Sequence, residues 1–247
     1  MKILVSNDDG YLAEGINVLT ERLSKNHQVT ICAPSENKSA SSSSLTIGKP
    51  LKPIKISESV YTINGTPSDS THFALCGYFE EEFDLVIAGI NFGPNLGDDV
   101  IYSGTVAAAI EGRFVGFPSI AISLASWDGK NFDTAANVAE IIVNNVEFSN
   151  LSVNTVLNIN VPDIPFDEIR GFKTTRLGKR HKSENIVQDQ EDNSLYWIGE
   201  NGKEAENGPG TDFHAIKNNY VSITPLNIDL TSYDEVKKVG EWIKKIN

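Results

Sequence analysis

The 247 residues carry 21 basic and 33 acidic side chains, for a net charge of −12 and a pI near 4.8. Such a surface repels phosphate polymers, which argues against long nucleic acid as a partner, and no apolar run reaches the roughly 20 residues that span a bilayer. A hydrophobic share of 40% with 22% charged residues is that of a globular protein long enough for one large α/β core, so disorder is not the expectation.

The chain opens on a strand, Lys2-Ile3-Leu4-Val5-Ser6, rather than a signal peptide, so a cytoplasmic protein with no membrane partner is expected. Asn7-Asp8-Asp9-Gly10 then places two adjacent carboxylates where the strand stops. Ile16, Leu19 and Leu23 recur at helical spacing up to His27, and Gln28 to Ala33 reads as a second strand, completing a βαβ unit. Ser35 to Ser44 is a serine-rich loop. Alternating runs near Leu51–Ile56 and Val60–Ile63 predict a ribbon, and Gly65-Thr66-Pro67-Ser68 opens a helix. Asp84 to Gly89 is a continuous apolar strand ending in a glycine-rich loop, followed by a helix over Thr105–Gly112, a strand over Ser119–Leu124 and a helix over Asn131–Asn145. The alternation runs to about Asn160. From Ile169 the pattern changes to short strands and polar, glycine-rich turns, and Ser232–Ile246 closes the chain as an amphipathic helix with Val236, Val239, Trp242 and Ile246. Cys32 and Cys76 both read as small buried hydrophobes rather than a disulfide or zinc pair.

The predicted class is α/β: a Rossmann-like, mostly parallel sheet with flanking helices over residues 1–165, then a β-rich C-terminal arm and terminal helix over 166–247. A single structural domain is the other division. The polar arm is hard to bury alone and reads as an exchanged or dimer-forming segment. Tyr196 and Trp197 serve either subunit packing or as a lid over a base.

Ligands of open α/β sheets bind where loops converge at the carboxyl ends of parallel strands. Three loops qualify. In the first, two bare carboxylates in one cleft repel, whereas a divalent ion neutralises both; the plainer alternative is an Asx-rich turn capping the next helix. In the second, Ser39 and Ser41 to Ser44 offer hydroxyls to a cation or phosphate, or form a solvated loop. In the third, Gly89 to Asp99 runs on to Tyr102-Ser103-Gly104-Thr105 at a helix N-terminus, where free N–H groups favour an anion. The plainer alternative there is Ser103 or Thr105 as an N-cap, with Asp98 and Asp99 only ordering the loop. Neither a GxxxxGK[ST] loop nor a GxGxxG fingerprint occurs, so monophosphate with metal gains over nucleoside triphosphate or dinucleotide. None of His27, His72, His181 or His214 falls in these loops; the last two lie in polar stretches of the arm.

Val5-Ser6-Asn7-Asp8-Asp9-Gly10, the Ala33 to Thr46 loop, Gly65-Thr66-Pro67 and GINFGPNLGDDVIYSGTVAAAIEG strongly resemble the survival protein SurE family of 5′-nucleotidases. The resemblance continues through Leu157-Asn158-Ile159-Asn160-Val161-Pro162, Thr175-Arg176-Leu177-Gly178, Tyr196-Trp197-Ile198-Gly199, Gly210-Thr211-Asp212-Phe213 and Ser222-Ile223-Thr224-Pro225-Leu226.

The resemblance implies a divalent-metal phosphatase acting on nucleoside 5′-monophosphates, with activity on 3′-nucleotides and short polyphosphate in some members, and assembly as a homo-dimer or homo-tetramer with swapped carboxyl-terminal elements. It implies Asp8, Asp9, Ser39 and Asn91 as ligands of one metal ion per subunit, and Asn95, Ser103, Gly104 and Thr105 as phosphate-binding residues. Asp8 and Asp9 are the catalytic candidates, one orienting or deprotonating the attacking water. These hard oxygens suit Mn2+ or Mg2+ better than zinc. The family's loop commonly reads Asp-Arg-Asn-Arg-Ser-Gly where this chain has Ser35-Glu36-Asn37-Lys38-Ser39-Ala40, which predicts altered substrate preference. The alternative function is a stress-response module that senses nucleotides without turnover.

Overall fold

The computed structural model describes residues 1–115, 119–199 and 201–246. β1 (Lys2–Ser6) buries Ile3, Leu4 and Val5, which project to both faces of the sheet as a central parallel strand requires. Each such side chain contributes about 1.5–3 kcal/mol relative to exposure. α1 (Glu14–Leu23) buries Ile16, Leu19 and Leu23 and stops there, before His27, because the apolar stripe ends. β2 (Gln28–Pro34) lies parallel to β1, with Val5 opposite Ile31.

β3 (Pro53–Lys55) and β4 (Val60–Ile63) form the predicted antiparallel ribbon, and β4 joins β2 in parallel. α2 (Pro67–Phe73) begins with a capping box: Thr66 Oγ1 accepts from Asp69 N while the Asp69 carboxylate accepts from Thr66 N. β5 (Leu85–Phe92), α3 (Gly104–Glu111), β6 (Ser119–Leu124), α4 (Phe132–Asn145) and β7 (Thr155–Val161) continue the alternation.

After β7 the chain makes β8 (Phe172–Thr174), β9 (Lys179–Arg180), β10 (Val187–Gln188), β11 (Tyr196–Trp197) and β12 (Glu204–Glu206). α5 (Asp212–Lys217), β13 (Val221–Asn227) and α6 (Tyr233–Ile243) follow. β9 pairs with β12 and β10 with β11, two short ribbons that stand outside the main sheet.

The nine-stranded sheet has the order β3-β4-β2-β1-β5-β6-β7-β13-β8. From β1 the chain steps one way to β2 and later the other way through β5, β6 and β7. The strand order therefore reverses between β1 and β5, the place where such sheets hold ligands. α1 and α4 pack with Ile3, Val5 and Ile87 on one face. On the other face, Phe73 of α2 packs with Leu4 and Val86, and Val106 and Ala109 of α3 with Ala88 and Ala121.

Three details differ from the sequence reading. Cys76 is exposed rather than buried, because the helix unwinds at Cys76 and Gly77 (φ +108) and turns the thiol outward. Cys32 is buried, and burial pushes its thiol up to about 12. His214 lies on a helix, and β13 is a seven-residue strand paired antiparallel to β7 rather than a short arm strand. β13 escaped notice because Pro225 interrupts it. The proline is tolerated because β8 covers only Val221 to Ile223, so Pro225 lies past the end of that partner.

Candidate active site

The loops leaving β1, β2 and β5 meet at the reversal point and are stitched by hydrogen bonds. Lys38 N donates to Asp8 O at 2.7 Å, Ser42 N to Tyr102 O at 3.1 Å and Ser42 Oγ to Ile101 O at 2.7 Å. The far end of the serine loop is tied to the α2 cap: Thr46 N and Oγ1 both donate to the Asp69 carboxylate, and Thr66 Oγ1 to Ser44 O. A serine run held in this way is not a free solvated loop.

Asn7, not the acids beside it, makes the turn after β1. Its Nδ2 donates to Gly10 O at 2.9 Å and its Oδ1 accepts from Gly10 N at 3.2 Å, with Gly10 at φ +97. The N-cap of α1 is Ala13, with no side-chain cap, so Asp8 and Asp9 are spared both tasks.

Asp8 is buried, and its Oδ1 accepts a hydrogen bond from Thr105 Oγ1. Burial raises its pKa from 3.8 to about 6; the Thr105 bond opposes this and the neighbouring Asp9 charge adds to it. Asp9 Oδ2 accepts from Phe92 N at 3.0 Å, and Oδ1 from Asn37 Nδ2 at 3.4 Å. Burial raises Asp9 too, against the Phe92 bond.

A cleft of about 130 Å³ is lined by Asp8, Ser39, Asn91, Asn95 and Ser103, joined by Tyr102, Trp127 and Asn201. Asp9, Gly104 and Thr105 are not on its wall. Asp9 turns toward the Phe92 amide, the Thr105 hydroxyl is engaged by Asp8, and Gly104 packs against Asp8 from behind. A Cβ on Gly104 would stand 2.8 Å from Asp8 Cβ and 2.9 Å from Ser41 Oγ, so only glycine lets α3 approach. Ser103 is the N-cap of α3, its Oγ accepting from Val106 N at 3.1 Å. No histidine lines the cleft. A larger open hollow of about 730 Å³ lies between Met1, His27 and Asp84, at the opposite ends of the strands from these loops.

The donor set fits a hard divalent cation. Asp8 supplies a costly buried carboxylate and Asn91 donates its Nδ2 to Gly93 O at 2.8 Å, leaving Oδ1 as the atom with acceptor capacity. Ser41 Oγ is buried without a partner beside Gly104 at the N-terminus of α3, just behind the cleft wall. Among the described residues no three His, Cys, Asp or Glu side chains gather as a metal cluster, and of the candidate ligands the Asp8 carboxylate and the neutral groups of Ser39 and Asn91 face the cleft, with Asp9 lying just behind.

Asn95 is held by residues the sequence reading did not single out. Its amide donates to Asn160 Oδ1 at 2.8 Å, its carbonyl accepts from Asn158 and Asn160 at 2.9 Å each, and its Nδ2 donates to Ser123 Oγ at 2.8 Å. Asparagine at alternate positions of an otherwise apolar strand was the available signal, since an unpaired buried amide is costly. Trp127 was also missed, although it follows β6 at the same carboxyl edge as the other loops.

The arm reaches the site through the third loop. Arg180 Nε and Nη2 contact the Asp99 carboxylate at 2.9 and 2.7 Å, Asn201 Nδ2 donates to it at 3.1 Å, and Arg180 N donates to Asp98 Oδ2 at 2.8 Å. Buried Asp212 accepts from Gly97 N at 2.7 Å and Gly178 N at 2.8 Å. Asp98 and Asp99 therefore order the loop.

Residues 3–184 match the family model described as Survival protein SurE. A protein named 5′-nucleotidase SurE from Vesicomyosocius okutanii is 65% identical over 246 residues, covering 100% of this chain and 99% of that one. One of the same name from Ruthia magnifica is 63% identical, covering 100% of each. The crystal structure of the SurE protein from Aquifex aeolicus superposes with a TM-score of 0.87 at 40% identity, covering 98% of this chain and 99% of that one. With the motifs and the fold in agreement over the matched length, the chain belongs to the survival protein SurE family.

Proposed function

We propose that the chain is a 5′-nucleotidase that hydrolyses nucleoside 5′-monophosphates to nucleoside and phosphate. The observation that carries this reading is the convergence of a buried carboxylate, Asp8, the oxygen-bearing side chains of Ser39 and Asn91, and Ser103, the N-cap of α3, at one small cleft. The names of the full-length relatives point to the same activity.

Asp8, Asp9, Ser39 and Asn91 hold one divalent ion, Mn2+ or Mg2+, which supplies neutralising charge for phosphate oxygens. Asn95 and Ser103 face the phosphate across the cleft, with Gly104 and Thr105 contributing helix N–H groups from beneath. Thr105 also orients Asp8 through its hydroxyl. Asp8 or Asp9 orients or deprotonates a water for in-line attack. Action on 3′-nucleotides and short polyphosphate belongs to the same reading.

Association into a dimer or tetramer is supported by exposed apolar side chains on α6 (Tyr233, Val236, Val239, Trp242) and on the β10–β11 ribbon (Val187, Trp197). No helix among the described residues is long and apolar enough to cross a membrane. A cytoplasmic setting is proposed with the rest.

The test is phosphate release from a panel of nucleoside 5′-monophosphates with Mn2+, Mg2+ or chelator, on wild type and Asp9→Asn. Metal-dependent release that collapses in the variant is the expected result. No release with any cation would leave the nucleotide-sensing module as the better account.

A further inference from the structure

Two aromatic side chains stand at the mouth of the cleft with most of their surface open to water. Trp127 is 68% exposed and Tyr102 65%, yet both line the same cleft as Asp8, Asn91 and Ser103. A tryptophan so exposed contributes little to the core, and its position asks for a different account.

The cleft is also too small for a whole nucleotide. Its volume of about 130 Å³ is below the roughly 300 Å³ at which pockets for complete small ligands begin. A phosphate held at its floor leaves the sugar and base outside, over the rim where the two rings stand.

The Trp127 ring is fixed for this task. A Cβ on Gly93 (φ +116) would lie 2.4 Å from Trp127 Cζ3, so the indole rests directly on the glycine backbone. The loop carrying it is pinned on both sides. Ala125 N donates to Val161 O at 2.8 Å and Asp128 N to Ser126 Oγ at 3.1 Å. Beyond the tryptophan, Asp163 Oδ1 accepts from Lys130 N at 3.0 Å and Asn131 N at 2.9 Å. A ring held against backbone on one side and open on the other is a ready stacking platform, and stacking is sequence-tolerant because every base has a π-face.

We propose that Trp127 is a specificity-determining residue that stacks on the nucleobase of the substrate, with Tyr102 beside it at the rim, and favours purines for their larger face. The proposal rests on the nucleotide reading above and adds the part of the substrate that the phosphate site leaves unexplained. Trp127 touches no reacting atom, so its effect falls on binding.

The test compares wild type, Trp127→Ala and Trp127→Phe by calorimetric binding of AMP, CMP and base-free ribose 5-phosphate, and by kcat and KM for the same three. Trp127→Ala is expected to weaken AMP about tenfold, the range of a lost base–aromatic stack, through KM and not kcat. CMP should weaken less and ribose 5-phosphate stay within twofold, with Trp127→Phe restoring most of the AMP affinity. Equal losses for AMP and ribose 5-phosphate, or unchanged AMP affinity in Trp127→Ala, would overturn it. The two readings fail separately. AMP bound through Trp127 without phosphate release in any cation sinks the phosphatase and spares the stack; normal turnover with no base effect does the reverse.

Discussion

The Thr105 hydroxyl donates its hydrogen bond to Oδ1 of Asp8 and so ties the first turn of α3 to the loop after β1. The bond favours the ionised carboxylate, but burial outweighs it, and Asp8 remains harder to ionise than an ordinary aspartate. A group with a folded pKa of about 6 against 3.8 takes up its proton more readily when folded. Stability therefore falls as pH rises through that window, by roughly 3 kcal/mol once ionisation is complete. Asp8→Asn removes this cost and keeps an acceptor for Thr105. In chelator, the variant is expected to be more stable than wild type by up to about 3 kcal/mol at pH 8. The difference should vanish near pH 4, where Asp8 is protonated. Thermal melts at the two pH values decide it, and equal stability at pH 8 would mean that burial of Asp8 is not felt as charge.

The same carboxylate sets how the proposed metal responds to acid. A proton on Asp8 competes with the cation, so apparent Mn2+ affinity should be flat above about pH 7 and fall about tenfold per pH unit below about pH 6. Calorimetric titration from pH 5 to 8 measures this. Affinity unchanged down to pH 5 would remove Asp8 from the ligand set.

Ala40 occupies φ +58, in the left-handed region where the Cβ costs energy, directly after Ser39. Ala40→Gly is expected to stabilise by up to about 1 kcal/mol, the relief being partly offset by the freer unfolded chain. Ala40→Val should destabilise by more than about 1 kcal/mol, since a branched side chain tolerates that backbone worse. Urea unfolding separates the two, and a stabilising valine would show that the loop does not hold this conformation in solution.

Arg180 and Asp99 join the arm to the third loop through two charge-assisted bonds, with both side chains largely buried. Arg180→Met leaves the Asp99 carboxylate without its cation and is expected to cost about 3 kcal/mol. Adding Asp99→Asn should restore part of the loss. Hydrogen exchange over residues 96–103 should quicken in the single variant, and unchanged protection there would mean that the arm does not order the loop.

Trp242 lies on the exposed apolar face of α6. If that face is the one that associates, Trp242→Glu shifts the sedimentation coefficient toward monomer at micromolar concentration without changing the thermal midpoint of the core. An unshifted distribution would assign association to another surface.

The parallel core was legible because its strands are apolar on both faces: Ile3 to Val5 and Leu85 to Ala88 announce themselves without alternation. Asp8, Asp9 and the serine loop were legible for a related reason, since polar residues directly after such strands must lie at one edge of the sheet. What stayed hidden depends on contacts distant in sequence. Asp69 appears as a local helix cap, and nothing nearby reveals that it also holds Thr46. Asn158 and Asn160 have meaning only once Asn95 is placed between them. Cys76 was misjudged because its outward turn comes from unwinding at Gly77, a feature of three-dimensional fit rather than periodicity.

Both edges of the main sheet are blunt. β3 is three residues long and contains Pro53 and Lys55; β8 is equally short and carries Lys173 at its centre. Proline withholds a donor, and a lysine resists desolvation, so neither edge is a template on which another strand can grow. Extension of the main sheet is therefore disfavoured as a route to association, and the exposed face of α6 offers side chains instead. A protein that exposes this much apolar surface on its last helix is thereby guarded against fibril formation at the edges where an α/β sheet is otherwise most vulnerable.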